Sequence, residues 1–373
     1  MTDKKITYFY QAGRKEKLNG DEPYAKEMFY GYHYLRNKFN SVEIIEFMPI
    51  NSKIRKFFRN KIEKKISNIF KLPIYWTYMV TSENNKVIKE SDYVIFNNNR
   101  IGASVTPILL WNNLTKKSQA VSLCFVLGLF SRRTKFKFLM IFHNFYIKLI
   151  LKSIDKFIFL SEGELNFARR KFSKYKNKFT LIPFAVDLEI WKVQESVKKD
   201  ILFVGNDGFR DFKLVEEIIN SHPKINFSIV SELIKKENLI HDNYTIYKGS
   251  WGNPALSDLE LSNLYSSSKL TIVPLKESLQ PSGQSVALQS IACGTPVIIT
   301  KTQGFWDKVN FQDELNIFFN INNDLKSWKK DISKIYEMND FEYDQIVKNG
   351  LDLIKNYYDL NDFNKKIENI LFS

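Results

Sequence analysis

Apolar and polar positions along this chain follow two alternating rhythms. Short apolar runs bounded by turn residues predict strands at 6–10, 42–47, 92–96, 121–127, 156–160, 201–204, 226–230, 244–247, 270–274 and 296–300. Stretches with apolar residues at helical spacing predict helices at 24–39, 162–172, 212–219, 257–266 and 286–292, and over most of 341–372. Ser257, with Glu260 three residues on, gives one of these helices a capping box. Turn-rich segments at 11–21 and 97–102 predict loops, the first containing Gly13 and Gly20. Strand–helix alternation through both halves predicts an α/β chain with two doubly wound parallel sheets.

The segment 270–300 carries the most chemistry. Two β-rich runs flank a helix, and Pro281-Ser282-Gly283-Gln284-Ser285 opens that helix. A strand, a small polar loop and a helix N-terminus together form an anion seat, because unpaired N–H groups and the positive end of the helix dipole converge there. Gly294-Thr295-Pro296 ends the helix and starts the next strand. The unit is a βαβ crossover with a phosphate seat at its first turn.

The same segment resembles the donor-binding part of GT-B glycosyltransferases, in particular the retaining group called family 4 (glycosyl transferases group 1). Leu288-Gln289-Ser290-Ile291-Ala292-Cys293-Gly294-Thr295-Pro296-Val297 is similar to that family's Leu-Glu-Ala-Met-Ala-Cys-Gly-x-Pro-Val. Ile182-Pro183-Phe184-Ala185-Val186-Asp187 resembles the segment that ends the family's first domain, with Ala185 in place of Gly. The likeness covers residues 155–300. It implies a GT-B fold, two Rossmann-like domains facing a central cleft. It also implies an acceptor-binding domain at 1–185, a donor-binding domain at 186–355, and a last helix near 356–373 packing back on the first. The implied activity moves a sugar, of hexosyltransferase type, from a UDP- or GDP-linked donor to an acceptor. Retention of configuration, no metal and no cofactor are implied with it.

Candidate residues follow from both readings. A departing diphosphate needs its charge neutralised, so Ser282, Gly283, Gln284 and Ser285 are expected to hold it with Arg210 as the cation. Gly205 and Asn206 form the nucleotide loop. Arg210 has a rival reading as a solvated residue at a helix start. The family's more usual Arg and Lys positions here hold Asn206 and Asp211. Gln289 stands where relatives have a ribose-binding Glu, and the partner Glu position is Pro281. The paired-glutamate motif is therefore absent, and Glu277 becomes the candidate for the sugar and, with Arg210, for catalysis; its rival reading is a surface carboxylate. Gly13, Asn98 and Arg100 follow strands of the first half and are candidate acceptor-side residues, although Gly13 also suits a plain turn. His33 and His143 read as packing residues, so no catalytic His is assigned. Four His and two separated Cys give no metal-ligand spacing.

Charge changes the picture of the first half. Residues 1–187 hold 34 Lys/Arg against 15 Asp/Glu, and residues 188–373 hold 21 against 26. An imbalance this strong points to a polyanionic partner. The stretch 51–72 interleaves Ile54, Phe57, Phe58, Ile62, Ile66, Ile69 and Phe70 with basic residues that include Lys61, Lys64 and Lys65, against one acid, Glu63. One reading is a core helix with a solvated basic face. The other is a helix lying in an anionic membrane surface through Phe57, Phe58 and those lysines. Arg132, Arg133, Lys135 and Lys137 form a second basic cluster. No leader is expected before the first strand, no run is long enough to span a bilayer, and Cys124 and Cys293 lie in apolar runs, which suits a reducing compartment. The expectation is a glycosyltransferase peripheral on the cytoplasmic face of a membrane, with a glycan or lipid-linked acceptor and no nucleic-acid partner. The alternatives are a degenerate GT-B subunit without catalysis and a basic nucleic-acid-binding protein.

Overall fold

The computed structural model describes residues 4–47, 50–134, 136–249 and 253–373. The chain divides into two compact units. One comprises Met1–Asn19, Phe29–Ile182 and Asn364–Ser373; the other comprises Gly20–Met28 and Pro183–Phe363. Lys135, named above in the second basic cluster, lies outside the described residues.

The first unit holds β1 (Lys5–Tyr10), β2 (Ser41–Glu46), β3 (Tyr93–Phe96), β4 (Val121–Val126), β5 (Lys156–Phe159) and β6 (Phe179–Leu181) in the order β2-β1-β3-β4-β5-β6. The second holds β7 (Asp200–Val204), β8 (Phe227–Val230), β9 (Tyr244–Tyr247), β10 (Ser268–Val273), β11 (Val297–Thr300) and β12 (Phe318–Asn320) in the order β12-β11-β10-β7-β8-β9. Every ladder in both sheets is parallel. All ten predicted strands are present. β6 and β12 add three residues each, too few to display a period.

The order of strands reverses direction once in each sheet, between β1 and β3 and between β7 and β10. In open parallel sheets such a switch leaves a crevice beyond the strand C-termini, because the two following connections diverge to opposite faces. These two points place the loops considered below.

Four local expectations are corrected. The helix predicted at 24–39 is a 3-10 turn, Glu27–Phe29, followed by an α-helix, Tyr32–Lys38. Tyr30 and Gly31 between them have φ of 49° and 86°, and left-handed residues end helical hydrogen bonding. Part of the loop predicted at 11–21 is the helix Arg14–Asn19, whose first N–H groups are accepted by Glu46 Oε1. The loop predicted at 97–102 is the start of the helix Asn99–Thr115, capped by Asn98 Oδ1 on the N–H groups of Arg100 and Ile101. The stretch 51–72 is helical but passes through a π-turn, Arg59–Glu63, between Lys53–Phe58 and Lys64–Phe70.

Gly102 inside the Asn99–Thr115 helix reads as a turn residue but acts as a close-approach residue. A Cβ there would stand 2.6 Å from Cys124 Sγ and 3.2 Å from Ile154 Cδ1. Gly102→Ala should destabilise the first unit by about 1–3 kcal/mol, the usual scale of core overpacking. Urea unfolding of Gly102→Ala, alone and with Cys124→Ala, checks this: the double variant should recover most of the loss.

Candidate functional site

The loops after β7 and β10 meet at the switch point of the second sheet. Residues 209–211 run antiparallel to 274–276: Asp211 N–H donates to Pro274 O at 3.0 Å and Lys276 N–H to Phe209 O at 2.8 Å. This pairing carries Arg210 inward. Its side chain is 3% exposed, and its Nε donates to Val204 O at 3.3 Å. A Cβ at position 205 would run into Arg210 Nε, so Gly205 is the residue that lets the guanidinium lie flat along the loop. Burial pulls the Arg210 pKa down, and Asp207 and Tyr265 oppose that shift.

The far end of Arg210 reaches the helix Gln284–Ala292. Its N-cap is Gly283, with φ of 78° and no side chain to satisfy the first turn. A Cβ on Gly283 would stand 3.6 Å from Arg210 Nη1. That nitrogen is 3.0 Å from Asp207 Oδ2 but makes no hydrogen bond, and Ser282 Oγ is likewise buried and unpartnered. A cation, a hydroxyl and an open helix N-terminus thus converge, with Ser285 partly exposed beside them. The rival reading of Arg210 as solvated is excluded by its burial.

Other predicted residues are placed differently. Asn206 joins three loops: its Nδ2 donates to Gly249 O at 2.7 Å, and its Oδ1 accepts from Ser231 Oγ and Glu232 N–H. Its side chain is spent on shaping the loop. Glu277 is exposed, and its Oε1 accepts from the N–H groups of Ser278 and Gln303 at 3.1 and 2.9 Å. Pro281 is buried.

In the first unit, Gly13 has φ of 106° and open space about it, and Asn98 Oδ1 is engaged in capping. Both follow strands at the β1/β3 switch. Arg100 donates to Tyr75 Oη at 3.3 Å, and Arg59 lies over the Tyr75 ring at 4.3 Å. Arg132 also faces this group; burial first and Arg100 second pull its pKa down. Arg59 pairs with Glu63, whereas Arg100 and Arg132 have no ion-pair partner among the described residues. His143 is buried with Nδ1 2.8 Å from Phe70 O, and His33 packs against Phe29 and Tyr32.

The stretch 51–72 is inverted relative to a core helix. Its one acid, Glu63, is fully buried, while Ile54 is 81% and Phe57 61% exposed, with Phe58, Ile62 and Ile69 also exposed. A second apolar stripe went unread in the sequence. The helix Lys137–Ser153 turns His143, Ile147, Ile150 and Leu151 inward and leaves Phe138, Ile141, Phe142 and Phe145 exposed, after an exposed Phe136. The Phe70 and Phe142 rings are 5.8 Å apart, so the two stripes adjoin. Among the described residues no helix is long and apolar enough to cross a membrane, and no group of three His, Cys, Asp or Glu could hold a metal ion.

Solved structures share this architecture over the whole chain. A glycosyltransferase from Rickettsia africae ESF-5 superposes with a TM-score of 0.67 at 14% identity, over 100% of this chain and 98% of that one. The fold is GT-B. Anabaena Alr3699/HepE in complex with UDP gives 0.65 at 11% identity over 98% and 99% of the two chains. The catalytic domain of Arabidopsis thaliana starch synthase IV, bound to ADP and acarbose, gives 0.66 at 11% identity over 100% and 99%. No protein-family model and no curated protein sequence matches the chain.

Within this GT-B fold the second unit contains a carboxyl that was not foreseen. Glu27, from the segment Gly20–Met28, is fully buried; its Oε1 accepts from Trp191 Nε1 at 2.7 Å and from Gln289 Nε2 at 3.0 Å. Burial raises its pKa to about 7, partly offset by the hydrogen bonds from Gln289 and Trp191. In the first unit Glu164 accepts from Gly128 N–H at 2.8 Å, and burial raises it to about 7 as well. Glu27 has no sequence motif, and Glu164 stands three residues after the N-cap Ser161, a pattern that reads as helix capping; only burial marks either carboxyl.

The two carboxyls set a pH dependence. The unfolded chain releases their protons near 4.5, the folded one only near 7. Their contribution to stability is therefore complete below about 4.5 and lost as pH rises through about 7. Glu27→Gln and Glu164→Gln should each flatten this fall, by on the order of 1–3 kcal/mol between pH 5 and pH 8. Chemical denaturation at the two pH values, variant against parent, measures the slope; a parallel slope would place that carboxyl in solvent.

Proposed function

We propose that this protein is a glycosyltransferase that takes a sugar from a UDP- or GDP-linked donor. The observation that carries this reading is Arg210, buried along Gly205 with Nη1 beside Gly283 and without a hydrogen bond. A buried guanidinium nitrogen without a hydrogen bond is costly unless an acceptor completes it. A diphosphate at the N-terminus of the Gln284–Ala292 helix would accept from Arg210, Ser282 Oγ and the first-turn N–H groups. The same donors stabilise the charge that builds on the diphosphate as the sugar leaves, which is where preorganised electrostatics acts most. Retention and metal independence are carried by the family likeness, and Glu277 is the candidate for the sugar because the paired-glutamate motif is absent.

Binding of UDP and GDP by titration calorimetry tests the seat. Arg210→Ala should weaken the bound nucleotide by about 1.5–3 kcal/mol, the scale of a charged hydrogen bond, and Gln289→Ala by about 0.5–1.5 kcal/mol. A folded Arg210→Ala variant with wild-type affinity would remove Arg210 from the site. Turnover of the donor, undiminished by a chelator, separates an enzyme from a degenerate subunit. The anomeric configuration of the product decides retention.

The acceptor side is read as facing an anionic membrane on its cytoplasmic side, with a lipid-linked glycan or glycolipid as acceptor. Support comes from the unpaired Arg100 and Arg132 and from two adjoining stripes of exposed Phe and Ile amid Lys and Arg. Reversing Lys61, Lys64 and Lys65 to Glu should release the protein from anionic vesicles, and salt should mimic the change. Phe138→Ser with Phe142→Ser should weaken vesicle binding even at low salt, with unchanged unfolding because both are exposed. Retention on DNA but not on vesicles would favour the nucleic-acid alternative.

A further inference from the structure

We infer that Glu27 is a positioning residue for nucleotide recognition: it fixes the amide of Gln289 so that Gln289 Oε1 faces outward as an acceptor for the ribose hydroxyls. This inference rests on the donor-seat reading above. Glu27 Oε1 accepts from two side chains at once, Trp191 Nε1 at 2.7 Å and Gln289 Nε2 at 3.0 Å. An indole nitrogen is a donor only and takes one lone pair of Glu27 Oε1, and the ionised carboxylate, an acceptor only, can meet Gln289 solely through the amide NH2. Gln289 is therefore obliged to turn its NH2 toward Glu27. Its Oε1 is left without a partner among the described residues.

The place of that oxygen fits a nucleotide. Ser285 and Gln289 lie four residues apart on the Gln284–Ala292 helix, on one face and about 6 Å apart along the axis. A nucleotide whose diphosphate sits at the N-terminus would lay its ribose one turn along. A carboxylate at 289 would serve as acceptor too, but it would stand at hydrogen-bond distance from Glu27, and two carboxylates that close cannot both ionise. Glu27 and Gln289 thus work as a pair, one holding and one reading.

The test compares whichever of UDP or GDP the wild-type protein binds with its 2′-deoxy counterpart, and both with inorganic pyrophosphate. Glu27→Leu should lower the ribose preference by about fivefold, the scale of one neutral hydrogen bond, while pyrophosphate affinity stays unchanged. A purely structural role would instead lower both. The exchanged pair Glu27→Gln/Gln289→Glu should recover the preference that Glu27→Leu loses, because the amide at 27 then donates to the carboxylate at 289. Should Glu27→Leu fail to fold, the exchanged pair decides. Full ribose preference in Glu27→Leu, or no recovery in the exchanged pair, overturns the inference. If the wild-type protein binds neither nucleotide nor pyrophosphate, the donor-seat reading itself fails and takes this inference with it.

Discussion

A guanidinium held out of water organises the second unit. Arg210 can lie where it does only because Gly205 has no side chain, because residues 209–211 pair with 274–276, and because Gly283 opens the next helix without a cap. Each of these is a backbone condition. Together they bring a cation to the positive end of a helix, an arrangement that repels itself unless an anion arrives. Asp207 answers part of the charge from a half-exposed position and leaves Arg210 Nη1 without a hydrogen bond.

The first unit obeys a different constraint. Its sheet is covered by apolar side chains in the ordinary way, yet two helices at its edge keep their apolar stripes outside. Glu63 shows why the stretch 51–72 can do so. The π-turn at Arg59–Glu63 swings that lone carboxylate inward, where it accepts Thr77 N–H at 2.7 Å and pairs with Arg59; Ile66 and Phe70 pack on the core, and Ile54, Phe57, Phe58, Ile62 and Ile69 are left in water. Water exposure of that much apolar area is unfavourable, and lysines and arginines surround it.

Much of the architecture was legible in the residues. The ten longer strands announced themselves because a strand buried on both faces reads as an unbroken apolar run between turn residues. The start of the Gln284–Ala292 helix was legible for a similar reason: Ser282, Gly283 and Ser285 form a small polar loop before an apolar run. Elements that depend on distant partners were not legible. Gly102 reads as a turn residue, but it is small because Cys124 and Ile154 press on it. The 24–39 segment has helical spacing, and Tyr30 and Gly31 break it through conformations that spacing does not encode.

The sequence by itself determined the alternation of strands and helices, the sidedness of charge and the text around Gly294. All of these are local: periodicity, composition and turn chemistry act over a few residues. Only the tertiary structure decided that Asn206 ties loops together and Glu277 stays exposed. It alone showed that Arg210 is buried against two glycines, and that Glu27 meets Gln289 across 262 positions of chain. The physical reason is the same in each case. A side chain's role depends on what desolvates it and what satisfies its hydrogen bonds, and those partners come from parts of the chain that only folding brings together.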